Sequence, residues 1–222
     1  MDGESSQHRG LRVGTRTIQT HLRGSRAPRP RGQARATFPR NHAGAIWACD
    51  FLPVTALTCR PRYACFGSAL GSRRVVHVGV TRHPTDAWVA QQRREATPFD
   101  RRPRSLIRDN DATYGPRFTR LAAASGIRVL RTPVRALRAN AVCERFLGSV
   151  RRACLDHLLI FGARQLLRLL RESVAFFNRA RPHQGLGQAT PEALPAETKH
   201  CEGPVRAVPV LGGLHHRYER AA

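Results

Sequence analysis

The sequence of 222 residues has few acidic residues, no closely spaced Cys pair and no long apolar run. These absences exclude several classes of protein. The chain has only 15 acidic residues, one Met, two Trp and three Tyr. None of its six Cys forms a C-x-x-C pair, which argues against a zinc ribbon or a thioredoxin-like motif. No apolar run reaches the roughly 18 residues of a membrane span, and the N-terminus lacks the apolar stretch of a signal peptide. We therefore expect a cytoplasmic protein without a membrane partner.

The basic residues, by contrast, number 38 and give a formal net charge of +23. All of them are Arg except Lys199. A GC-rich coding bias can favour Arg over Lys, but it does not explain the excess over acidic residues. Nucleic acid is the usual anionic partner of such a surface. DNA is therefore the predicted partner.

Composition divides the chain into three predicted segments. Residues 1–40 are rich in Arg, and the run 27–32 (APRPRG) is incompatible with a continuous helix or sheet ladder. Residues 41–189 carry the strand and helix patterns of a packed domain. Residues 190–222 are rich in Pro, Glu, Gly and His without a sustained period, which predicts a mostly extended tail.

The middle segment predicts an α/β domain. Its first strand starts at Ile46 and alternates, with apolar residues on both faces. Two more strands follow after short connections, which indicates an antiparallel meander. Helix, strand, helix, strand and two long helices come next, at about 86–96, 105–108, 116–124, 127–131, 140–160 and 163–180. This order predicts a mixed five-stranded sheet, with three antiparallel strands and then parallel strands, flanked by helices.

Three of the few acidic residues lie in informative positions. Asp50 is in the middle of a strand, where an unpaired carboxylate costs on the order of several kcal/mol unless a cation compensates it. Asp109 ends the fourth predicted strand, and Glu144 lies near the start of a helix. A salt bridge to Arg would explain Asp50, an Asx turn would explain Asp109, and the helix dipole would explain Glu144.

The three carboxylates can also converge at one edge of a single sheet. Oxygen ligands without His or Cys suit Mg²⁺ or Mn²⁺. Two such ions about 3.5–4 Å apart would activate an attacking oxygen and stabilise the leaving oxygen of a phosphodiester. This alternative predicts a metal-dependent enzyme that acts on nucleic acid.

Several stretches of sequence together carry a family resemblance. They are residues 46–51 (IWACDF), 78–85 (VGVTRHPT), 106–111 (LIRDND), 140–146 (NAVCERF) and 177–183 (FNRARPH). Over roughly residues 11–192 the chain resembles the integrase core of DDE-type insertion-sequence transposases, which are relatives of retroviral integrases. The resemblance implies a ribonuclease H-like fold. It also implies a polynucleotidyl transferase that cleaves and transfers DNA strands during DNA integration.

The resemblance further implies roles for individual residues. Asp50, Asp109 and Glu144 would be the catalytic triad and would hold two Mg²⁺ or Mn²⁺ ions. Basic and polar residues would contact DNA, namely Arg151, Arg152, Arg138, Asn140, Arg26, Arg29 and Arg31. Such an enzyme must bring together the two ends of the DNA element that it moves. We therefore expect a homo-oligomer on DNA, acting at the nucleoid of a bacterial cytoplasm.

Some features depart from the family's pattern. The segment 1–40 resembles a truncated helix-turn-helix followed by an Arg- and Pro-rich linker. The other departures are single residues, Gly67, Arg93, Leu137 and Ala153. A strand Gly and a core-facing Arg both oppose packing. Two further interpretations therefore stand beside the first: a catalytically decayed DNA-binding remnant of a transposase, and a ribonuclease H-like nuclease for RNA–DNA hybrids.

Overall fold

The structure, a computed structural model, describes residues 42–97, 102–131, 141–192 and 203–221. All of them belong to one compact unit, Ala36–Ala222. The strands within these residues are β1 (Ile46–Thr55), β2 (Pro61–Ala69), β3 (Val75–Thr81), β4 (Ser105–Arg108), β5 (Arg128–Arg131), β6 (Val205–Val210) and β7 (His215–Arg220). The α-helices are α1 (Asp86–Ala96), α2 (Pro116–Ala124), α3 (Ala141–Ala153) and α4 (Ala163–Arg179).

Five of these strands form the central sheet in the order β3-β2-β1-β4-β5. The pairs β1–β2 and β2–β3 are antiparallel, whereas β4 runs parallel to β1 and β5 runs parallel to β4. Parallel neighbours need a crossover connection, and α1 and α2 lie in the two crossovers. The prediction of a mixed five-stranded sheet flanked by helices is confirmed.

The alternation of β1 divides the core between the two faces of the sheet. Ala48 and Leu52 belong to the larger apolar cluster, which contains residues of α3 and α4 such as Phe146 and Leu170. Cys49, on the other face, belongs to a second cluster formed with α1 and α2. Burial on both faces explains why the central strand is apolar at successive positions.

Helix α1 stabilises both ends of α2. At the start of α2, the Asp86 carboxylate accepts hydrogen bonds from the amides of Arg117 and Phe118, at 2.7 and 2.8 Å. Near its end, Arg93 Nη2 donates to the Leu121 carbonyl at 2.9 Å and to Ser125 Oγ at 2.7 Å. An acid at the helix N-terminus and a cation at the C-terminus both complement the helix dipole. Arg93 is therefore buried, as its position on α1 predicted, but it has a structural partner that sequence did not show.

Gly67 lies at an irregularity of the sheet. The register between β2 and β3 shifts between Gly67 and Ser68, whereas β2 pairs regularly with β1. A β-bulge of this kind bends and twists a strand, and Gly is common there. The irregular pairing at this position therefore explains why β2 contains a Gly there.

Asn178 joins α4 to the edge strand of the sheet. Its side chain is buried, accepts from the Val75 amide at 3.0 Å and donates to the Val75 carbonyl at 2.9 Å. The amide group therefore pairs with β3 as a neighbouring strand would. This pairing satisfies backbone groups at an edge that would otherwise lack a partner strand.

Asn178→Ala is expected to lower the free energy of unfolding by about 2–3 kcal/mol, because it leaves a buried amide and carbonyl of Val75 without their partners. Urea denaturation of the two proteins measures the difference. The exposed Arg168 on the same helix provides the control, and Arg168→Ala should change stability by no more than about 0.5 kcal/mol. A loss below about 1 kcal/mol for Asn178→Ala would mean that water replaces the side chain at this edge.

The helix predicted over 140–160 is shorter in the structure. Helix α3 ends at Ala153, Cys154 has non-helical backbone angles, and a short 3-10 helix Leu155–His157 follows. The Ile160 carbonyl then accepts a hydrogen bond from the Leu57 amide at 2.7 Å, in the connection between β1 and β2. The segment 158–160 is therefore not helical, although the apolar spacing continues.

Strands β6 and β7 form a separate antiparallel hairpin within the segment predicted to be a mostly extended tail. Its turn is attached to the domain. Leu211 is buried and its amide donates to Glu172 Oε1 at 2.6 Å, while His215 stacks on Phe176 with ring centroids 5.0 Å apart. His215 Nε2 also donates to the carbonyl of Ala153 at 2.8 Å, at the end of α3. Sequence analysis did not predict this pairing or its attachment.

Among the helices that the structure describes, none combines the length and apolar character needed to cross a membrane.

Candidate active site

The register of the central sheet brings two of the predicted catalytic residues together. Ala48 of β1 pairs with Ile107 of β4 in parallel. Asp50 lies two residues beyond Ala48 on β1, and Asp109 lies two residues beyond Ile107, directly after the last residue of β4. In sheets with helical connections, ligands and catalytic groups gather beyond the carboxyl ends of the strands. Two carboxylates therefore lie at the position where such a sheet usually forms its site.

Glu144 belongs to the first turn of α3, which packs against β1 and β2. It is exposed, whereas the preceding residue, Cys143, is fully buried in the larger apolar cluster together with Ala48. Asp50 lies on the same alternating face of β1 as Ala48. Glu144 and Asp50 are therefore on the same side of the sheet.

The buried thiols between these carboxylates report on their proximity. The pKa of the Cys49 thiol is raised to about 12, chiefly by burial, and the charges of Asp50 and Asp109 act in the same direction. Burial also raises the pKa of Cys143, with further contributions in the same direction from Asp50 and Glu144. The pKa of each thiol is therefore raised by the charge of Asp50 and by that of one other member of the predicted triad. Without a bound metal, both thiols are therefore protonated at neutral pH.

The donor chemistry of these residues suits a hard divalent cation. The donors that the predicted triad offers are carboxylate oxygens, which suit Mg²⁺ or Mn²⁺. Within the described ranges, however, no three His, Cys, Asp or Glu side chains stand close enough together to hold a metal ion. The sheet therefore brings Asp50 and Asp109 together, and Glu144 lies on the same side without completing a compact ligand group.

The loop after β4 also forms the Asx turn that sequence analysis gave as the alternative for Asp109. Asp109 Oδ1 accepts from the Asp111 amide at 3.2 Å, and Asp111 Oδ1 accepts from the Thr113 amide at 2.8 Å. These bonds fix the backbone of the loop. They leave further carboxylate oxygen lone pairs at Asp109, because an ionised carboxylate accepts several bonds.

Arg108 is a residue of this site that sequence analysis missed. It is buried, its Nη1 donates to the Asp109 carbonyl at 2.9 Å, and its guanidinium carbon lies 5.0 Å from the centroid of the Tyr114 ring. This arrangement holds the end of β4 through the residue next to the carboxylate. A buried Arg directly before a strand-end Asp was the available signal, but in a chain so rich in Arg it was not distinctive.

The predicted DNA-binding residues fall into two groups. Arg151 and Arg152 are exposed in the last turn of α3, and Arg151 Nη2 donates to the Pro53 carbonyl of β1 at 3.3 Å. Arg151 thus stands over the strand that carries Asp50. The other predicted residues lie outside the described residues, as does Leu137: Arg138, Asn140, Arg26, Arg29 and Arg31.

Comparisons with known proteins agree with this architecture. Residues 125–191 match the family "Integrase core domain". A chain of the simian T-cell lymphotropic virus intasome, in a complex with a PP2A regulatory subunit, is similar over 79% of this chain and 66% of its own length, with a TM-score of 0.56 and 13% identity. This chain thus spans just under two thirds of that chain. No curated protein matches the sequence.

Two further structures have the same fold. The HTLV-2 integrase catalytic core domain, solved in complex with magnesium, has a TM-score of 0.54 and 13% identity over 67% of this chain and 93% of its own. The catalytic domain of the Mos1 mariner transposase has a TM-score of 0.53 and 12% identity, over 63% of this chain and 75% of its own. The resemblance inferred from sequence is confirmed: residues 125–191 match the integrase core domain family, within the ribonuclease H-like fold of DDE integrase and transposase catalytic cores.

Proposed function

We propose that this protein is a metal-dependent polynucleotidyl transferase that cleaves a DNA strand and joins the freed end to target DNA. The observation that supports the proposal is the parallel pairing of β1 with β4, because Asp50 and Asp109 follow the paired residues Ala48 and Ile107 by two positions each, on the side of the sheet that faces α3. Glu144 on α3 would complete the triad. The match to the integrase core domain family covers the helix that carries Glu144 but not the two strand residues.

In this proposal, Asp50, Asp109 and Glu144 hold two Mg²⁺ or Mn²⁺ ions. When bound, such ions activate the attacking oxygen and stabilise the leaving oxygen of a phosphodiester. The backbone holds the ligands in position, since Asp50 Oδ1 accepts from the Phe51 amide at 2.8 Å within β1. The loop bonds of Asp109 act in the same way at the end of β4.

The reaction proceeds by in-line displacement at phosphorus. A water oxygen attacks the phosphorus atom, the bond to the 3′ oxygen breaks, and the products are a 3′-hydroxyl and a 5′-phosphate. The 3′-hydroxyl then attacks a phosphodiester of the target strand in the same manner. Arg151 and Arg152 would bind non-reacting phosphates and position the strand over β1.

The proposal is tested by incubating the purified full chain with supercoiled plasmid DNA and Mg²⁺ or Mn²⁺. Nicked circles should accumulate with either metal and should be absent with EDTA. Binding to the same DNA without nicking would support the alternative of a decayed remnant. Preferential cleavage of the RNA strand of an RNA–DNA hybrid would support the ribonuclease alternative.

The proposal includes assembly of several copies on DNA. Joining two element ends to one target requires that two active sites be held together. The similar HTLV-2 core domain has been solved in dimeric and trimeric forms, and the simian virus protein as an intasome. We expect this chain to form a homo-oligomer on the DNA of a bacterial nucleoid.

DNA binding should weaken steeply as salt rises, because Arg151, Arg152 and the Arg-rich N-terminal segment would neutralise several phosphates. Each phosphate contact contributes about −0.9 to the slope of log affinity against log salt concentration on duplex DNA, so a slope of about −2 or steeper is expected. Fluorescence anisotropy in EDTA at several salt concentrations measures the slope. A shallower value would contradict extensive phosphate contact.

A further inference from the structure

A groove with three Arg residues lies beside α3, outside the triad. It has a volume of about 450 Å³ and is formed by the connection between β2 and β3, by α3 and by the segment after α4. Its polar lining includes Arg73, Arg145, Ser149, Arg181 and His183. We call it the arginine groove.

The charge of the arginine groove is not balanced by acidic residues in its lining. No Asp or Glu contributes to it from the described residues. Two Arg residues close by in sequence differ in this respect, because Arg74 and Arg179 both bond to Glu192, at 2.6 and 2.8 Å. The fold thus pairs one set of Arg residues with a carboxylate and directs another set into a concave surface. Such a surface attracts an anion.

Backbone geometry supports a defined position for Arg73. Its φ of 61° lies in the left-handed region, which is uncommon for residues other than Gly. Its guanidinium lies against Gly185, where an added Cβ would come within 2.2 Å of Arg73 Nη2. The groove is therefore shaped in part by a Gly that leaves space for an Arg.

His183 adds hydrogen-bonding capacity rather than charge. Burial lowers its pKa, the Phe177 carbonyl raises it, and the charges of Arg181 and Arg73 lower it. The neutral ring bonds to the Phe177 carbonyl at 3.2 Å and packs against the Phe177 ring. The positive charge of the groove at neutral pH therefore comes from the guanidinium groups.

We propose that the arginine groove binds the phosphodiester backbone of a DNA strand. Guanidinium groups match phosphate oxygens in geometry and bind them with paired hydrogen bonds. Apolar surface from Phe177 and Pro182 in the same lining suits sugars and bases. Arg145 and Glu144 are successive residues of α3, so the groove and the proposed active site lie on adjoining faces of the same helical turn. A strand in the groove would therefore be held close to the proposed active site; this positional role rests on the function proposed above.

The proposal is tested by fluorescence anisotropy with labelled single-stranded and duplex oligonucleotides, in EDTA so that no cleavage occurs. The double variant Arg145→Gln, Arg181→Gln should bind about tenfold more weakly than the unmodified chain. Its salt slope should be shallower by about 0.7 per lost contact on single strands and about 0.9 on duplex DNA. The control Arg179→Gln removes an exposed Arg that is paired with Glu192, and its affinity should change less than twofold.

A second variant keeps the net charge constant. Gly185→Ala displaces the Arg73 guanidinium and should weaken binding by about threefold, with an unchanged melting temperature. Weaker binding of these variants to both oligonucleotides, or to the single strand alone, would support the proposal. The comparison also shows which form of DNA occupies the groove. Equal losses for the double variant and Arg179→Gln, or no loss on either oligonucleotide, would overturn the proposal. Absence of nicking with intact groove-dependent binding would refute the proposed catalysis alone.

Discussion

Asp50→Asn is expected to reduce plasmid nicking by at least about a thousandfold while DNA affinity in EDTA changes less than twofold. The amide has nearly the same shape as the carboxylate but loses the negative charge that holds a divalent cation. If this carboxylate is a metal ligand, its loss removes the stabilisation of the charged transition state, and a thousandfold loss corresponds to about 4 kcal/mol. The Arg residues proposed to bind phosphate are unaltered. Single-turnover nicking rates and anisotropy measure the two quantities.

Asp156→Asn is the matched control, because Asp156 is an exposed acid in the 3-10 helix after α3 and lies outside the predicted triad. Its nicking rate should stay within about twofold. Mg²⁺ should also raise the melting temperature of the unmodified chain. Free Mg²⁺ at 100 times its dissociation constant adds about 2.7 kcal/mol to the free energy of unfolding, if it binds one site of the folded state only. Asp50→Asn should abolish this increase. If it leaves both nicking and the Mg²⁺ response intact, Asp50 has a structural role and the proposed triad is wrong.

Phe146→Ala is expected to lower the free energy of unfolding by about 3–5 kcal/mol, the usual range for removing a fully packed aromatic ring. Phe146 is only 2% exposed, and its ring meets Phe66 of β2 at 5.2 Å and Phe177 of α4 at 4.7 Å, both edge to face. It is thus the point at which α3 contacts both the sheet and α4. For a domain of this size each kcal/mol lowers the melting temperature by roughly 2–4 °C, so a decrease of roughly 6–20 °C is expected.

Phe161→Ala provides the control for that experiment, because Phe161 is 61% exposed and its truncation should change stability by no more than about 0.5 kcal/mol. Phe146→Leu should recover part of the lost stability, since it restores apolar volume without the ring geometry. A loss below about 1 kcal/mol for Phe146→Ala would contradict the described packing of α3. Differential scanning calorimetry of the variants decides between these outcomes.

The central sheet could be predicted from sequence because the signals for its strands lie within short stretches of the chain. The alternation from Ile46 gives β1, and the short connections that follow give the antiparallel meander. Asp50 and Asp109 could be proposed as site residues for the same reason, one as a charge within an apolar strand and the other as a strand-end acid. Their proximity then follows from the parallel pairing of two strands that the pattern already indicated.

Features that depend on contacts between distant segments could not be predicted. Helix α3 ends at Ala153, and Ile160 bonds instead to Leu57, a contact of which the helical spacing of apolar residues gave no sign. The role of Asn178 depends on Val75, which is remote in sequence. The hairpin was missed because Pro209 interrupts its strand pattern and because its attachment depends on Glu172 and Ala153.

Other features of the site were hidden by the composition. Arg residues are so frequent that no single one stands out in the sequence, and only the fold separates those paired with Glu192 from those lining the arginine groove. Arg93 was similarly assigned an unfavourable role because its acceptors, at the end of α2, are distant in sequence.

The order of strands in the sheet has a consequence for the folding pathway. Strands β1, β2 and β3 are consecutive, so their pairing closes only short loops. Strand β4 pairs with β1 although β2, β3 and α1 lie between them along the chain, so this pairing closes a much longer loop. Closing longer loops costs more chain entropy, and contacts distant in sequence form more slowly. Asp50 and Asp109 are therefore expected to approach each other after the meander has formed. Repulsion between the two carboxylates then acts on a late step, so a divalent cation should speed the docking of β4 and leave the formation of the meander unchanged.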